Sequence, residues 1–255
     1  MRTKEIINHI KNWITQYNKD SKTRGFVIGI SGGVDSALTS TLIAETNLPL
    51  LCIEMPIHQE KKQISRGKNH ISWLKKRYKN VSSIEFDLTN LFDNFKNQTK
   101  HDNNPLALAN TRARLRMTSL YYFAQINNYL VAGTGNKVED FGIGFFTKHG
   151  DGGVDLSPIA DLLKTEVYLL SKELQIINEI LIASPTDGLW EKEQTDEDQI
   201  GATYEELEWA MNSNNINKNL TKRQIEVLAI YTKLNNTNQH KILPIPVCKI
   251  PKDLK

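Results

Sequence analysis

Cysteine is scarce in this chain: Cys52 and Cys248 are its only two. They lie in apolar or mixed surroundings without metal-ligand spacing, which argues against a metal cage and for buried, reduced thiols in a cytoplasmic protein. No stretch approaches the roughly 18 consecutive apolar residues of a membrane span, so no membrane association is expected. Met1 to Glu5 lead into an amphipathic pattern rather than a long apolar run, so no signal peptide is expected either. Thirty-two basic residues stand against 29 acidic ones, a formal net charge of +3. That balance is too even to make nucleic acid the principal partner. Internal repeats and low-complexity tracts are missing as well, and the Asn-rich stretch from Asn212 to Asn219 reads as polar loop.

What is present suits an ordinary globular protein. With 255 residues the chain can bury one good core, and a single α/β domain over 1–255 is the economical expectation. Its organising stretch runs from Phe26 to Ser36. Phe26-Val27-Ile28-Gly29-Ile30 reads as a short buried strand, Ser31-Gly32-Gly33 as a tight turn, and Val34-Asp35-Ser36 as the opening of a helix continuing through Ala44. Two glycines permit positive φ and close backbone approach. Backbone N–H groups at the helix start favour an anion, and Ser31 and Ser36 add hydroxyl donors. Asp35 would repel a phosphate unless a cation lay between them, which implies Mg²⁺. The stretch lacks the lysine of a Walker loop.

Along the rest of the chain, residues 3–18 have helical apolar spacing, with Ile6, Ile7, Ile10, Trp13, Ile14 and Tyr17 on one stripe. A second buried strand falls near 49–55, a basic helix near 60–78, and a third strand over 83–88. A helix near 105–127 places Leu106, Ala113, Met117, Leu120, Tyr121 and Ala124 on one stripe at about 100° per residue. Arg114 lies at the edge of that stripe, whereas Arg112 and Arg116 point away from it. A guanidinium there needs an acceptor, either a ligand anion or a structural carboxylate. Residues 128–140 form another strand-to-turn unit, where Thr134 and Glu139 emerge on the same rim as Asp35 if the sheet is parallel. Glu139 could complete a magnesium site or simply be an acid in a helix's first turn. Between Phe145 and Thr165 three glycines force a loop carrying Lys148, Asp151, Asp155 and Lys164, a pattern suited to substrate contact. Helix is expected over 162–174, near 200–211 and over 220–235. Residues 184–199 have no core pattern and suit a mobile flap, and 237–255 form an extended tail.

Taken together, Ser31 to Ser36, Asn110 to Met117, Gly133 to Glu139 and Phe146 to Asp155 resemble the motifs of the ammonia-dependent NAD⁺ synthetases, within the wider ATP pyrophosphatase group. The likeness runs nearly the length of the chain. It implies a doubly wound parallel sheet with flanking helices, of the adenine nucleotide alpha hydrolase type, in a homodimer. Residues Gly29, Ile30, Ser31, Gly32, Gly33, Val34, Asp35 and Ser36 would then bind ATP, with Thr134, Lys164 and Thr186 as further ATP contacts. Asp35 and Glu139 would hold Mg²⁺. Arg114, Lys148, Asp155 and the pair His240 and Lys241 would contact deamido-NAD⁺ at the subunit interface.

The implied reaction activates the nicotinate carboxylate with ATP, releasing pyrophosphate, and lets ammonia displace AMP to give NAD⁺. Lys164 would add charge in the first step, and Asp151 would guide or deprotonate ammonium in the second. No segment is left over for a glutaminase, so free ammonia or a partner would supply nitrogen. Other adenylating enzymes that act on transfer RNA share the loop but call for a polynucleotide surface. A non-catalytic nucleotide sensor would have no use for Asp35 and Glu139 together.

Overall fold

The computed structural model describes residues 1–99, 104–186, 195–212 and 219–255. Four parallel strands form its sheet: β1 Phe26–Gly29, β2 Leu50–Glu54, β3 Val81–Glu85 and β4 Leu130–Val131, in the order β3-β2-β1-β4. The side chains of β1 alternate between two cores. Phe26 and Ile28 join Ile7, Ile10 and Ile14 of α1 (Thr3–Asp20), Leu38 and Leu42 of α2 (Val34–Ala44) and Leu74 of α3 (Lys61–Arg77). Val27, with Leu51 and Ile53 of β2, faces Phe92 of α4 (Thr89–Thr99) and Ala124 of α5 (Pro105–Asn127). Continuous apolar strands covered on both faces are what a parallel sheet requires.

The chain winds outward through β1, β2 and β3, then returns on the other side of β1 to form β4. This reversal creates a crevice at the carboxyl ends of β1 and β4, the place where doubly wound sheets bind ligands. Beyond β4 come a π-helix, Lys137–Ile143, and α6 (Lys164–Glu173), α7 (Asn178–Leu181), α8 (Asp196–Ile200), α9 (Tyr204–Met211) and α10 (Lys222–Ile242). A third core joins Val138 and Ile143 of the π-helix to Leu207 of α9 and Val227 of α10. Among the described residues no helix is long and apolar enough to cross a membrane.

Several boundaries differ from the sequence reading. β3 starts at Val81 and ends at Glu85, because pairing with Leu50–Glu54 sets the register of an edge strand whose only buried residue is Val81. α4 was not anticipated; it buries only Phe92 and leaves Leu91 and Phe95 exposed, so it carries little periodic signal. The expected helix near 200–211 is split at Gly201, whose φ of 83° ends α8. α10 continues to Ile242, so His240 and Lys241 sit in its last turn rather than in an extended tail. Asn235 and Asn238 donate to the Gly142 and Ile143 carbonyl oxygens at 2.7 and 2.8 Å. These tertiary bonds hold helix where a run of asparagines has weak propensity. Of the expected flap, 187–194 lie outside the described residues, and with them Asp187.

One buried polar contact joins two helices of the first core. His70 on α3 is fully buried, 2.9 Å from the Ser40 hydroxyl on α2, and stacks on Trp73. Burial lowers its pKa from 6.5 to about 4. The unfolded chain therefore binds a proton that the folded one rejects, and stability falls as pH drops from about 6.5 toward 4. The expected loss is about 2 kcal/mol between pH 7 and pH 5. Urea midpoints across that range should show it, with a smaller fall in His70→Asn.

Candidate functional site

The loop after β1 is shaped by its own side chains. The Ser36 hydroxyl donates to the Gly33 carbonyl at 3.0 Å, the Gly33 amide donates to Ser31 Oγ at 3.1 Å, and the two hydroxyls lie 3.1 Å apart. Gly32 has φ of 81°, and a Cβ there would lie 2.7 Å from the Gln63 carbonyl oxygen of α3. Only glycine meets both conditions at low cost. The loop is thus wedged beneath α3 and opens at the start of α2, where its amides can face an anion.

At the centre stands Lys164, in the first turn of α6. Its buried ammonium lies 2.6 Å from Asp35 Oδ2 and 2.9 Å from Glu139 Oε1. Asp35 belongs to the first turn of α2 and Glu139 to the π-helix, so one cation ties three elements together. Buried Asn136 orients both acids. Its Nδ2 donates to Asp35 Oδ1 at 3.1 Å, while its Oδ1 accepts the amides of Val138 and Glu139, each at 3.1 Å. The Tyr204 hydroxyl donates to Glu139 Oε1 at 2.6 Å and lies 3.1 Å from Asp196 Oδ2.

Electrostatics follow from this packing. Burial opposes charge on Glu139, yet Lys164, Tyr204 and Asn136 hold its pKa below the usual carboxylate value. For Asp35, burial and the neighbouring Glu139 outweigh Lys164, and its pKa rises. Burial works against the Lys164 ammonium too, but the two carboxylates raise its pKa and keep it charged. Asp140, packed against Gly135, has its pKa raised well above the ordinary value by burial and then by Glu139 and Asp151. One cation between two carboxylates leaves a residual negative charge, which suits a further cation.

Among the described residues no three His, Cys, Asp or Glu side chains gather as a metal cage. Magnesium needs fewer: it takes one or two carboxylates and completes its shell with phosphate oxygens and water. Two carboxylates that already share a cation beside an anion-binding loop fit that donor set.

The structure sorts the sequence candidates into two groups. Gly29 through Ser36, Thr134, Glu139, Asp151, Lys164 and Thr186 line one pocket at the switch point. Arg114, Lys148, His240 and Lys241 form a linked set outside its lining. Arg114 donates to the Lys148 carbonyl at 3.3 Å, the Lys148 ammonium to the His240 carbonyl, and the Lys241 ammonium to the Phe146 carbonyl at 2.8 Å. Asp155 is engaged within the protein, accepting the Tyr121 hydroxyl at 3.1 Å and the Val131 amide at 2.8 Å. The charges of the glycine loop therefore do not form the single cluster that their spacing suggests.

The orientation of α5 also differs from the expected stripe. Leu106 is exposed, Arg112 is buried with its guanidinium 4.3 Å from the Phe92 ring centre, and Arg116 lines the pocket and donates to the Met55 carbonyl at 3.0 Å. α5 packs on the sheet and on α4 at once, so two faces are covered and no single stripe describes it. Sequence reasoning also missed Asn136, Tyr204 and Arg116. Asn136 was within reach, as the capping residue just before Glu139; Tyr204 lies in a separate segment with no motif around it.

A doubly wound parallel sheet with a glycine loop and paired carboxylates at its switch point defines an α/β nucleotide-binding class of protein. Comparison with known proteins narrows this. The family model described as NAD synthase matches residues 6–244, and the chain belongs to that family. It is 40% identical to an NH(3)-dependent NAD(+) synthetase of Carboxydothermus hydrogenoformans over 80% of this chain and 83% of that one. A Mesoplasma florum protein of the same name is 36% identical over 94% and 95%. Among solved structures, the NMN synthetase from Francisella tularensis superposes with a TM-score of 0.85 at 30% identity, covering 99% of both chains.

Removing the central cation should unfold the site first. Lys164→Met would leave two partly buried carboxylates without their counter-charge, at an expected cost of about 2–4 kcal/mol. Denaturant titration should register that loss, and adding Glu139→Gln to the variant should recover part of it.

Proposed function

We propose that this chain joins ammonia to the nicotinate carboxylate of deamido-NAD⁺ at the expense of ATP, giving NAD⁺, AMP and pyrophosphate. The observation that carries this reading is the meeting of the phosphate loop, Asp35, Glu139 and Lys164 in one pocket at the switch point. Names of the similar curated proteins, which specify NH(3)-dependent NAD(+) synthesis, support it.

In the first step a carboxylate oxygen of the nicotinate attacks the α-phosphorus of ATP, and the bond to the β-phosphate oxygen breaks. Pyrophosphate leaves and an acyl-adenylate forms. The Gly32 amide and the α2 N-terminus would receive the phosphates, and Lys164 adds positive charge beside them. Asp35 and Glu139 would hold Mg²⁺, which when bound neutralises phosphate charge. Thr134 and Thr186, both on the pocket wall, would position the nucleotide. In the second step ammonia attacks the acyl carbon, the bond to the AMP oxygen breaks, and the nitrogen loses a proton. Asp151 lines the same pocket, accepts the Thr147 amide at 3.0 Å and is solvent-exposed, so its carboxylate can take the proton released by ammonium and pass it to water.

Arg114, Lys148, Asp155, His240 and Lys241 would serve the dinucleotide. Exposed Leu91, Phe95, Leu106, Tyr122 and Ile126 on neighbouring α4 and α5 support a homodimer that places this basic set at a subunit interface. Ser184 to Thr186 and Asp196 line the pocket, which supports a flap over 184–199. Cys52 is buried as expected, whereas Cys248 is exposed because the segment after α10 packs on no core; both thiols are free, which supports a cytoplasmic location, and residues 1–255 would form one domain.

The likeness to an NMN synthetase favours one second reading, in which the acceptor is the nicotinate mononucleotide and the basic set at Lys148 and Lys241 meets a terminal phosphate. Steady-state kinetics with both acceptors separates the readings: the dinucleotide should give the higher kcat/KM, and a reversed order would establish the second. With the preferred acceptor, AMP and amide product should form in equal amounts. Asp35→Ala and Glu139→Ala should each lower kcat/KM by about 100-fold or more.

A further inference from the structure

The nucleotide pocket contains a carboxylate that the reaction above does not use. Glu54 ends β2, and its backbone is fixed by parallel pairing with Glu85 at the end of β3. It is half-buried and lines the same pocket as the phosphate loop. Among the described residues its side chain accepts no hydrogen bond within the protein and forms no ion pair. The nearby ammonium of Lys68 goes instead to Glu85, at 2.9 Å. A partly desolvated carboxylate with no protein donor is costly unless a ligand supplies one.

Position narrows the ligand group. Gly67 of α3 touches both features: a Cβ there would lie 3.4 Å from Glu54 Oε1, while a Cβ on Gly32 would lie 3.2 Å from the Gly67 amide nitrogen. The carboxylate thus stands one glycine away from the phosphate loop. In the doubly wound sheets that bind dinucleotides, an acid at the end of β2, roughly 20 residues past the glycine loop, bonds the ribose 2′-hydroxyl, and the same placement is open to a sheet with a different phosphate loop. Glu54 has the strand, the end of the strand and the spacing. Ile30, Met55 and Ile64 provide an apolar wall beside it, suited to the base.

We propose that Glu54 is the ribose-reading residue of the ATP site, its carboxylate accepting hydrogen bonds from the 2′- and 3′-hydroxyls. This rests on the ATP-dependent reading of the same pocket. A charged acceptor facing two hydroxyls gives short, strong bonds and selects ribose over deoxyribose. Burial, with Glu85 alongside, raises the Glu54 pKa, so hydroxyl donors offset part of the cost of its charge.

The test compares ATP, 2′-deoxy-ATP and 3′-deoxy-ATP, each with Mg²⁺, in the full chain. Wild type should prefer ATP by about tenfold or more in kcat/KM over either analogue. Glu54→Ala should bring both ratios to within about threefold, and Glu54→Gln, which keeps one acceptor oxygen and the same shape, should fall between. A ratio compares two nucleotides on one variant, so a general loss of folded protein does not move it. Wild-type ratios in Glu54→Ala would overturn the proposal, as would no preference in the wild type. A variant that lost discrimination only against inosine triphosphate would also overturn it, because the carboxylate would then read the base. Equilibrium binding of ATP and 2′-deoxy-ATP by calorimetry gives the same ratio without turnover. A wild type that binds ATP selectively but releases no AMP would thus refute the reaction and leave the role of Glu54 standing.

Discussion

Three elements distant in sequence depend on one buried ammonium. Lys164 comes from α6, Asp35 from α2 and Glu139 from the π-helix, and their contacts of 2.6 and 2.9 Å close the crevice floor. Two partly buried carboxylates so placed would not both stay ionised without it. The charges are also nearly, but not fully, balanced. A residual negative charge next to a loop of amide donors is in keeping with the metal-bearing polyanion proposed for the pocket rather than with a neutral ligand. Asn136 and Tyr204 extend the constraint outward, and Tyr204 links the site to the third core, in which it packs with Leu207.

The sheet supplies what this network cannot, namely a common rim. Because β1 and β4 are adjacent and parallel, the segments that follow them leave at the same end. The reversal of winding between them opens the space into which Asp35 and Glu139 both point. The order β3-β2-β1-β4 further places the end of β2 beside the loop, which is why Glu54 falls within reach of a bound nucleotide.

Much of this was legible in the residues themselves. The run from Phe26 to Ser36 specifies strand, turn and helix by β-branching, glycine and burial, and those are local properties. Thr134 and Glu139 could be assigned to the rim of Asp35 from the strand-to-turn pattern, given a parallel sheet, whereas Lys164 was tied to the nucleotide only through the family resemblance. What could not be read was pairing between charges. Lys164 was expected to face the nucleotide, and nothing in its surroundings announces that it bridges two acids 129 and 25 residues away. α5 failed for a different reason: Arg112 lies under an aromatic ring and Arg116 on a carbonyl, so polar residues occupy covered faces and blur the helical stripe. α10 outran its expected end because Asn235 and Asn238 bond to the π-helix, a tertiary cause invisible to propensity.

The central claim is that ATP is used to put a leaving group on a carboxylate, and isotope transfer tests it most directly. The acceptor is prepared with ¹⁸O in its nicotinate carboxylate, turned over with ATP and ammonium, and the phosphorus products are analysed by mass spectrometry. Attack on the α-phosphorus predicts one ¹⁸O atom in AMP and none in pyrophosphate. Label in pyrophosphate or inorganic phosphate, or unlabelled AMP beside amide product, would contradict the adenylation chemistry assigned to this pocket.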